Sequence, residues 1–284
     1  MRLLVTGAGG MLGQDVVRAA EANGDEVIAL GRGDLDVTDE RAVAGAMSDE
    51  HVDAVINCAA WTDVDGAESD PDSADAVNAL GAEHVANAAA HVGARLVHVS
   101  TDYVFDGDRS ADEPAYVESD VPGPRSVYGA SKLAGEEAVT AAGGSHAIVR
   151  SSWLFGVGGR NFVATMLELG DERDEVTVVD DQVGCPTATA HLAPALLALA
   201  HDEDAQGILH VAGGGQCSWH ELAVETFRQA GIACRVLSCA TAEMPRPAPR
   251  PAFSALASER DDAPLLPPWQ EGLTTYLAQR GVHA

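Results

Sequence analysis

The first twenty-two residues restrict the fold more than any other stretch. Arg2-Leu-Leu-Val-Thr6 is a short apolar run, Gly7-Ala-Gly-Gly-Met-Leu-Gly13 follows at once, and Gln14-Asp-Val-Val-Arg-Ala-Ala-Glu-Ala22 has helical spacing. A strand, a glycine turn and a helix are the opening of a βαβ unit. The glycines fall at Gly7, Gly10 and Gly13, a G-x-x-G-x-x-G spacing rather than G-x-G-x-x-G. The physics is the same in either spacing. Glycine permits the tight turn, the missing Cβ lets a pyrophosphate approach, and the helix N-terminus offers N–H groups and the positive end of its dipole. A glycine turn that holds nothing is the competing reading, and the flanking strand and helix argue against it.

Further apolar strands follow at Asp25–Leu30, Ala54–Ala60, Arg95–Ser100, His146–Arg150 and Glu175–Asp180, with helical patterns between them. The pattern is that of an α/β chain. The second strand runs into Gly31-Arg32. Arg32 either pairs with the 2′-phosphate of NADP or is a solvated surface arginine with Asp34 close by. Asp36-Val37 follow in a loop where a carboxylate can accept from an adenine amino group. The third strand ends in Ala59-Ala60, small residues that leave room for a ligand at the carboxyl edge of an open sheet. Ser100-Thr-Asp-Tyr-Val-Phe105 closes the fourth strand and would face the same cleft. His98, inside that strand, reads as a packed histidine rather than a catalyst.

Tyr128-Gly-Ala-Ser-Lys132 holds the only lysine of the chain. On a helix, positions i and i+4 share a face, so phenol and ammonium point into the same space. A nearby cation lowers a tyrosine pKa and makes the phenol a usable proton donor near neutral pH. Tyr-x-x-x-Lys also arises by chance, and the lysine-poor background weighs against that.

At 284 residues the chain can bury one large core or two smaller ones. It has no apolar run long enough to span a bilayer and no signal-like N-terminus, so a cytoplasmic protein is expected. A formal net charge of -27 in scattered Asp and Glu argues against nucleic acid as a partner and predicts a salt-adapted protein. Five cysteines without a C-x-x-C pair predict free thiols and neither a disulfide scaffold nor a metal site. The biased stretch at 244–251 reads as a rigid, extended loop.

Across nearly its whole length the chain resembles the extended short-chain dehydrogenase/reductase superfamily and, more narrowly, the dTDP-4-dehydrorhamnose reductase family. The broader likeness rests on Gly7-x-x-Gly10-x-x-Gly13, Asn57-Cys-Ala-Ala60, Thr101 and Tyr128-x-x-x-Lys132. The narrower one rests on residues 100–105, 128–136, 150–156 with Asn161-Phe162, 181–187 and 250–256, all in family order. The resemblance implies a Rossmann-type doubly wound parallel sheet with a smaller, discontinuous substrate-binding lobe. Residues 1–150 would form the dinucleotide domain, joined by a returning strand and helix at about 175–201, and 151–174 with 202–284 the lobe. It implies NADPH as cofactor, with NADH as the alternative, held by Gly7, Gly10, Met11, Leu12, Gly13, Arg32, Asp36, Val37, Ala59, Ala60, Thr62, Tyr128 and Lys132. Thr101, Tyr128 and Lys132 would be catalytic. Tyr103, Trp153, Asn161, Asp181, Gln182, Thr187 and Arg250 would face a nucleotide-sugar, although Gln182 and Thr187 equally suit a bracing role. Cys185 is given no role, and a homodimer is compatible with the resemblance.

The implied activity is reduction of a 4-keto group on a nucleotide-linked 6-deoxyhexose. Rival readings are a nucleotide-sugar dehydratase, an epimerase, or a non-catalytic NADP-binding regulatory subunit. Dehydratases follow the Thr-Asp pair with a glutamate base, and here that place is Tyr103.

Overall fold

The computed structural model describes residues 1–110 and 112–282. The strands are β1 (Arg2–Thr6), β2 (Glu26–Leu30), β3 (Ala54–Asn57), β4 (Arg95–Thr101), β5 (His146–Ser151), β6 (Leu154–Phe155), β7 (Glu175–Val179), β8 (Val183–Gly184), β9 (Thr187–Ala188), β10 (Gly207–His210), β11 (Cys217–Ser218) and β12 (Arg235–Cys239). The helices are α1 (Met11–Asn23), α2 (Glu40–Glu50), α3 (Val64–Ser69), α4 (Pro71–Asp75), α5 (Gly81–Val92), α6 (Val127–Ala142), α7 (Phe162–Glu172), α8 (Thr189–His201), α9 (Trp219–Ala230) and α10 (Trp269–Gln279). A π-helical turn, Ala76–Leu80, joins α4 to α5.

Among the described residues, the largest sheet has six parallel strands in the order β10-β5-β4-β3-β1-β2. Its strands are apolar on both faces, as a sheet covered by helices on both sides requires. Leu3, Val5, Ile56, Val97, Val149 and Leu209 point to the face covered by α1 and α8. Leu4, Val55, Leu96 and Ile148 point to the other, against Val43 and Met47 of α2 and Val85 of α5. The order reverses between β1 and β3, which places a crevice at their carboxyl ends.

The expected return of Glu175–Asp180 to this sheet does not occur. β7 pairs in parallel with β12, and the main sheet is completed by β10 beside β5. The returning helix is α8, which packs on α1. A five-residue strand carries no local mark of which edge it will join; here α8 lies between β9 and β10 and delivers the next strand, Gly207–His210, to the sheet. α7 and α9 close over the β7–β12 pair through Met166, Val176, Val178, Ala223 and Phe227. Among the described residues, no helix is long and apolar enough to cross a membrane.

Candidate active site

The glycine turn sits in the crevice at the strand-order reversal. Gly7 has φ 64°, and a Cβ there would lie 2.6 Å from Ala59 N. Gly10 N–H donates to Gly7 O at 2.9 Å, and a Cβ on Gly13 would stand 2.3 Å from that same oxygen. The first glycine thus supplies the left-handed turn and the last lets the helix seat on it. Gly9 faces open space. Among the described residues, no side chain caps α1 and no acid lies in its first turn, so its N–H groups and positive dipole end meet the crevice unopposed. This cradle fits a dinucleotide pyrophosphate. Leu12 is buried, so what it can offer a pyrophosphate is its backbone N–H.

The remaining cofactor candidates divide. Ala59 and Ala60 are half-buried against the turn and Thr62 is exposed beyond them. Arg32 is exposed, near enough to Asp36 to help hold that carboxyl below its ordinary value, after the hydrogen bonds from Thr38 N–H and Oγ1. Val37 is buried and its carbonyl accepts from His84 Nδ1 at 3.1 Å, so it shapes the wall without offering a side chain.

The catalytic candidates converge at the carboxyl end of β4. Ser126 caps α6 by accepting from Gly129 N–H at 3.1 Å, which puts Tyr128 in the first turn and Lys132 one turn on. Two glycines let α6 approach closely: a Cβ on Gly129 would lie 2.3 Å from Tyr103 O, and one on Gly135 2.2 Å from Asn78 O. Asn78, in the π-helical turn, donates to Ser131 Oγ at 3.0 Å and Trp61 O at 3.1 Å and accepts from Trp61 N–H at 2.8 Å. The helix is therefore fixed in rotation before any ligand arrives.

Tyr128 lies near enough to Thr101 for that hydroxyl to act on its phenol, and Thr101 Oγ1 donates to Asp102 Oδ1 at 3.0 Å. Burial pushes the Tyr128 phenol up to about 12, with the nearby Thr101 hydroxyl opposing it. The expectation that Lys132 lowers this pKa is not met in this arrangement. Lys132 directs Nζ at Val99 O, 2.7 Å away, and burial brings its own ammonium down to about 8. Asp102 is pushed up to about 7 by burial, with Ser254 nearby and the hydrogen bond from Thr101 opposing the rise. His98 is buried in β4, as expected.

Of the substrate-side candidates, Tyr103 packs edge-on against Tyr128 with centroids 5.7 Å apart, and its phenol is pushed up by burial. Arg250 reaches Asp65 of α3 at 3.0 Å and lies close enough to temper the Tyr103 shift. Trp153 holds φ 47° and stacks on Trp219, centroids 3.5 Å apart. The others hold contacts within the protein. Thr187 is fully buried, its hydroxyl donating to Cys185 O and accepting from Gly213 N–H. Gln182 braces Thr241 and Trp219, and Asp181 receives the Thr241 amide and hydroxyl. Asn161 caps α7 and donates to Gly156 O and Gly159 O, tying that loop beside Met11. Each of these polar groups has a protein partner, so a contact with a nucleotide-sugar would be made beside that partner or in exchange for it.

Sequence reasoning missed Asp102, Asn78 and the buried pair Glu136–Arg150, 2.6 Å apart. Asp102, Glu136 and Arg150 all stood in quoted motifs, and Asn78 inside an alanine-rich helical run.

A doubly wound sheet with a glycine cradle at its crevice defines a dinucleotide-binding α/β protein of the Rossmann type. The family described as RmlD substrate binding domain matches residues 1–281, and the chain belongs to it. It is 48% identical to a dTDP-4-dehydrorhamnose reductase of Mycobacterium tuberculosis, over 98% of this chain and 92% of the relative. The crystal structure of a dTDP-4-dehydrorhamnose reductase from Clostridium acetobutylicum superposes with TM-score 0.95 at 41% identity, covering 99% of this chain and 100% of the other. One from Bacillus anthracis, in complex with NADP, gives TM-score 0.94 at 39% identity over 98% and 99%.

Proposed function

We propose that this protein is an NADPH-dependent reductase that converts the 4-keto group of dTDP-4-dehydrorhamnose to the alcohol of dTDP-L-rhamnose. The observation that carries the reading is the meeting of Thr101 and Tyr128 at the carboxyl end of β4, on the same sheet edge as the glycine cradle. Relatives of the same name over nearly the full chain support it.

NADPH, when bound, supplies the hydride. Gly7, Gly10, Gly13 and the α1 N-terminus would hold its pyrophosphate, and Arg32 the 2′-phosphate end. Tyr128 is the proton donor. Its phenol is neutral, so it has a proton to give as the carbonyl oxygen gains charge. Thr101 orients that oxygen, a contact that strengthens as the charge develops. Lys132, one turn further along α6, would hold the nicotinamide ribose. Tyr103 and Trp153 border the sugar, in a smaller lobe that includes α7, α9 and the β7–β12 pair. Arg250, exchanging Asp65 for a phosphate, answers the diphosphate. Tyr103 stands where a dehydratase would need a glutamate base, which favours simple reduction. The net charge of -27 suits a salt-adapted enzyme.

The test follows NADPH and NADH absorbance with dTDP-4-dehydrorhamnose and identifies the product by NMR. Stoichiometric oxidation with formation of dTDP-L-rhamnose is the expected result. Epimerised sugar without net cofactor consumption, or no turnover, would overturn it.

A further inference from the structure

A chain of buried polar groups runs beneath the site through the sheet itself. Thr6, at the end of β1, donates its hydroxyl to Asn57 Oδ1 at 2.6 Å, and Ala59 N–H donates to the same oxygen at 3.1 Å. Asn57 Nδ2 lies 3.0 Å from His98 Nδ1, and His98 Nε2 lies 3.5 Å from Lys132 Nζ. Thr6, Asn57, His98 and Lys132 are each at most 2% exposed.

The donors in this chain can be assigned. A backbone N–H only donates, so the amide at Ala59 requires the oxygen of Asn57 on its side and leaves the NH2 facing His98. His98 Nδ1 therefore accepts. The imidazole is neutral, because burial and then the charge of Lys132 hold its pKa well below the ordinary value. Its single proton sits on Nε2, toward Nζ. An ammonium has no lone pair to receive that proton, whereas an amine has one.

The other groups around Nζ favour the ammonium, Glu136 most, but burial outweighs them. Val99 O accepts one N–H. Glu136, one turn further along α6, is already bound by Arg150 of β5 and by Ser100 Oγ. Cys58, beyond β3, is a neutral thiol pushed up to about 12 by burial, and Tyr128 is a neutral phenol.

We propose that His98 is a positioning residue for proton delivery, presenting Nε2–H to Lys132 through the tautomer that Asn57 fixes and so favouring the amine form of Lys132. The lowered pKa of Lys132, about 8, points the same way. A lysine poised there can hold or release a proton at Nζ near neutral pH, which a lysine of ordinary pKa cannot. The idea rests on the reading of Lys132 as part of the catalytic group.

Lys132 is the only lysine, so protein labelled with lysine enriched in 13C at Cε gives one NMR signal whose pH titration reports this group alone. The free protein should titrate near 8, and 15N spectra should show His98 protonated at Nε2. His98→Gln, whose terminal carbonyl can turn to Nζ, should raise the Lys132 midpoint by about one unit or more and move the same ionisation in the pH dependence of kcat/KM. Asn57→Ser, which frees Nδ1 to take the proton with His98 in place, should raise it as well. A Nδ1–H tautomer in the unsubstituted protein, or a midpoint unmoved in the variants, overturns the proposal. Neither titration uses turnover. A non-catalytic Lys132 would instead be exposed by undiminished activity in Lys132→Arg.

Discussion

Gly129 of α6 packs on the backbone carbonyl of Tyr103, so closely that a Cβ at 129 would lie 2.3 Å from the oxygen. Backbone cannot yield as a flexible side chain can, so any larger residue there must lift the first turn of α6, and Tyr128 with it, away from Thr101. Gly129→Ala is expected to lower kcat about 100-fold, the cost of misplacing a reacting group by about 1 Å. Steady-state kinetics beside a thermal melt would check it, and wild-type kcat would show that the helix start does not govern proton delivery.

Tyr128→Phe removes the proton donor but leaves the glycine cradle untouched. Turnover should fall by roughly 10²–10⁴-fold while NADPH affinity, measured by fluorescence titration, changes little. Lys132→Arg should be comparably impaired, because a planar guanidinium cannot occupy the tight space beside Val99 O as a compact ammonium does. Full activity in either variant contradicts the assigned role.

Asp102 carries a stability consequence that depends on pH. Its carboxyl is raised from 3.8 to about 7, so the folded protein holds a proton that the unfolded chain releases earlier. Stability from this group is present at low pH and is lost as pH rises through about 4 to 7. Asp102→Asn cannot ionise, so its stability relative to wild type should improve between about pH 5 and pH 8, by at most a few kcal/mol. Urea unfolding at the two pH values measures the difference, and a constant gap would mean that Asp102 titrates at an ordinary value.

The net charge of -27 makes the folded state self-repelling at low ionic strength. Unfolding temperature should climb from low to molar salt as screening shortens the range of that repulsion to a few ångströms. A melting temperature equal at both ends would remove the case for salt adaptation.

Breaking the buried ion pair should cost more than removing any exposed one. Glu136→Gln leaves Arg150 charged, buried and unanswered, and is expected to destabilise by about 3–5 kcal/mol. Arg228→Ala, at the exposed pair with Glu225, should cost under about 1 kcal/mol. Denaturant titration compares the two.

The sequence by itself determined the opening βαβ unit, the glycine cradle, the five strands from β1 to β5 and the shared face of Tyr128 and Lys132. Each rests on local physics: strand and helix periodicity, the conformational freedom of Gly7, and the i, i+4 spacing of a helix. The tertiary structure decided the rest. β7 and β10 are both short apolar runs, and only their partners β12 and β5 assign them to different sheets. The protein partners of Thr187, Gln182 and Asn161 are likewise set by the fold. Asn57 and His98, far apart along the chain, are direct partners in the register of β3 and β4. The tautomer that His98 shows to Lys132 is set by that register and by one backbone N–H at Ala59, because hydrogen-bond direction depends on neighbours that only folding brings together.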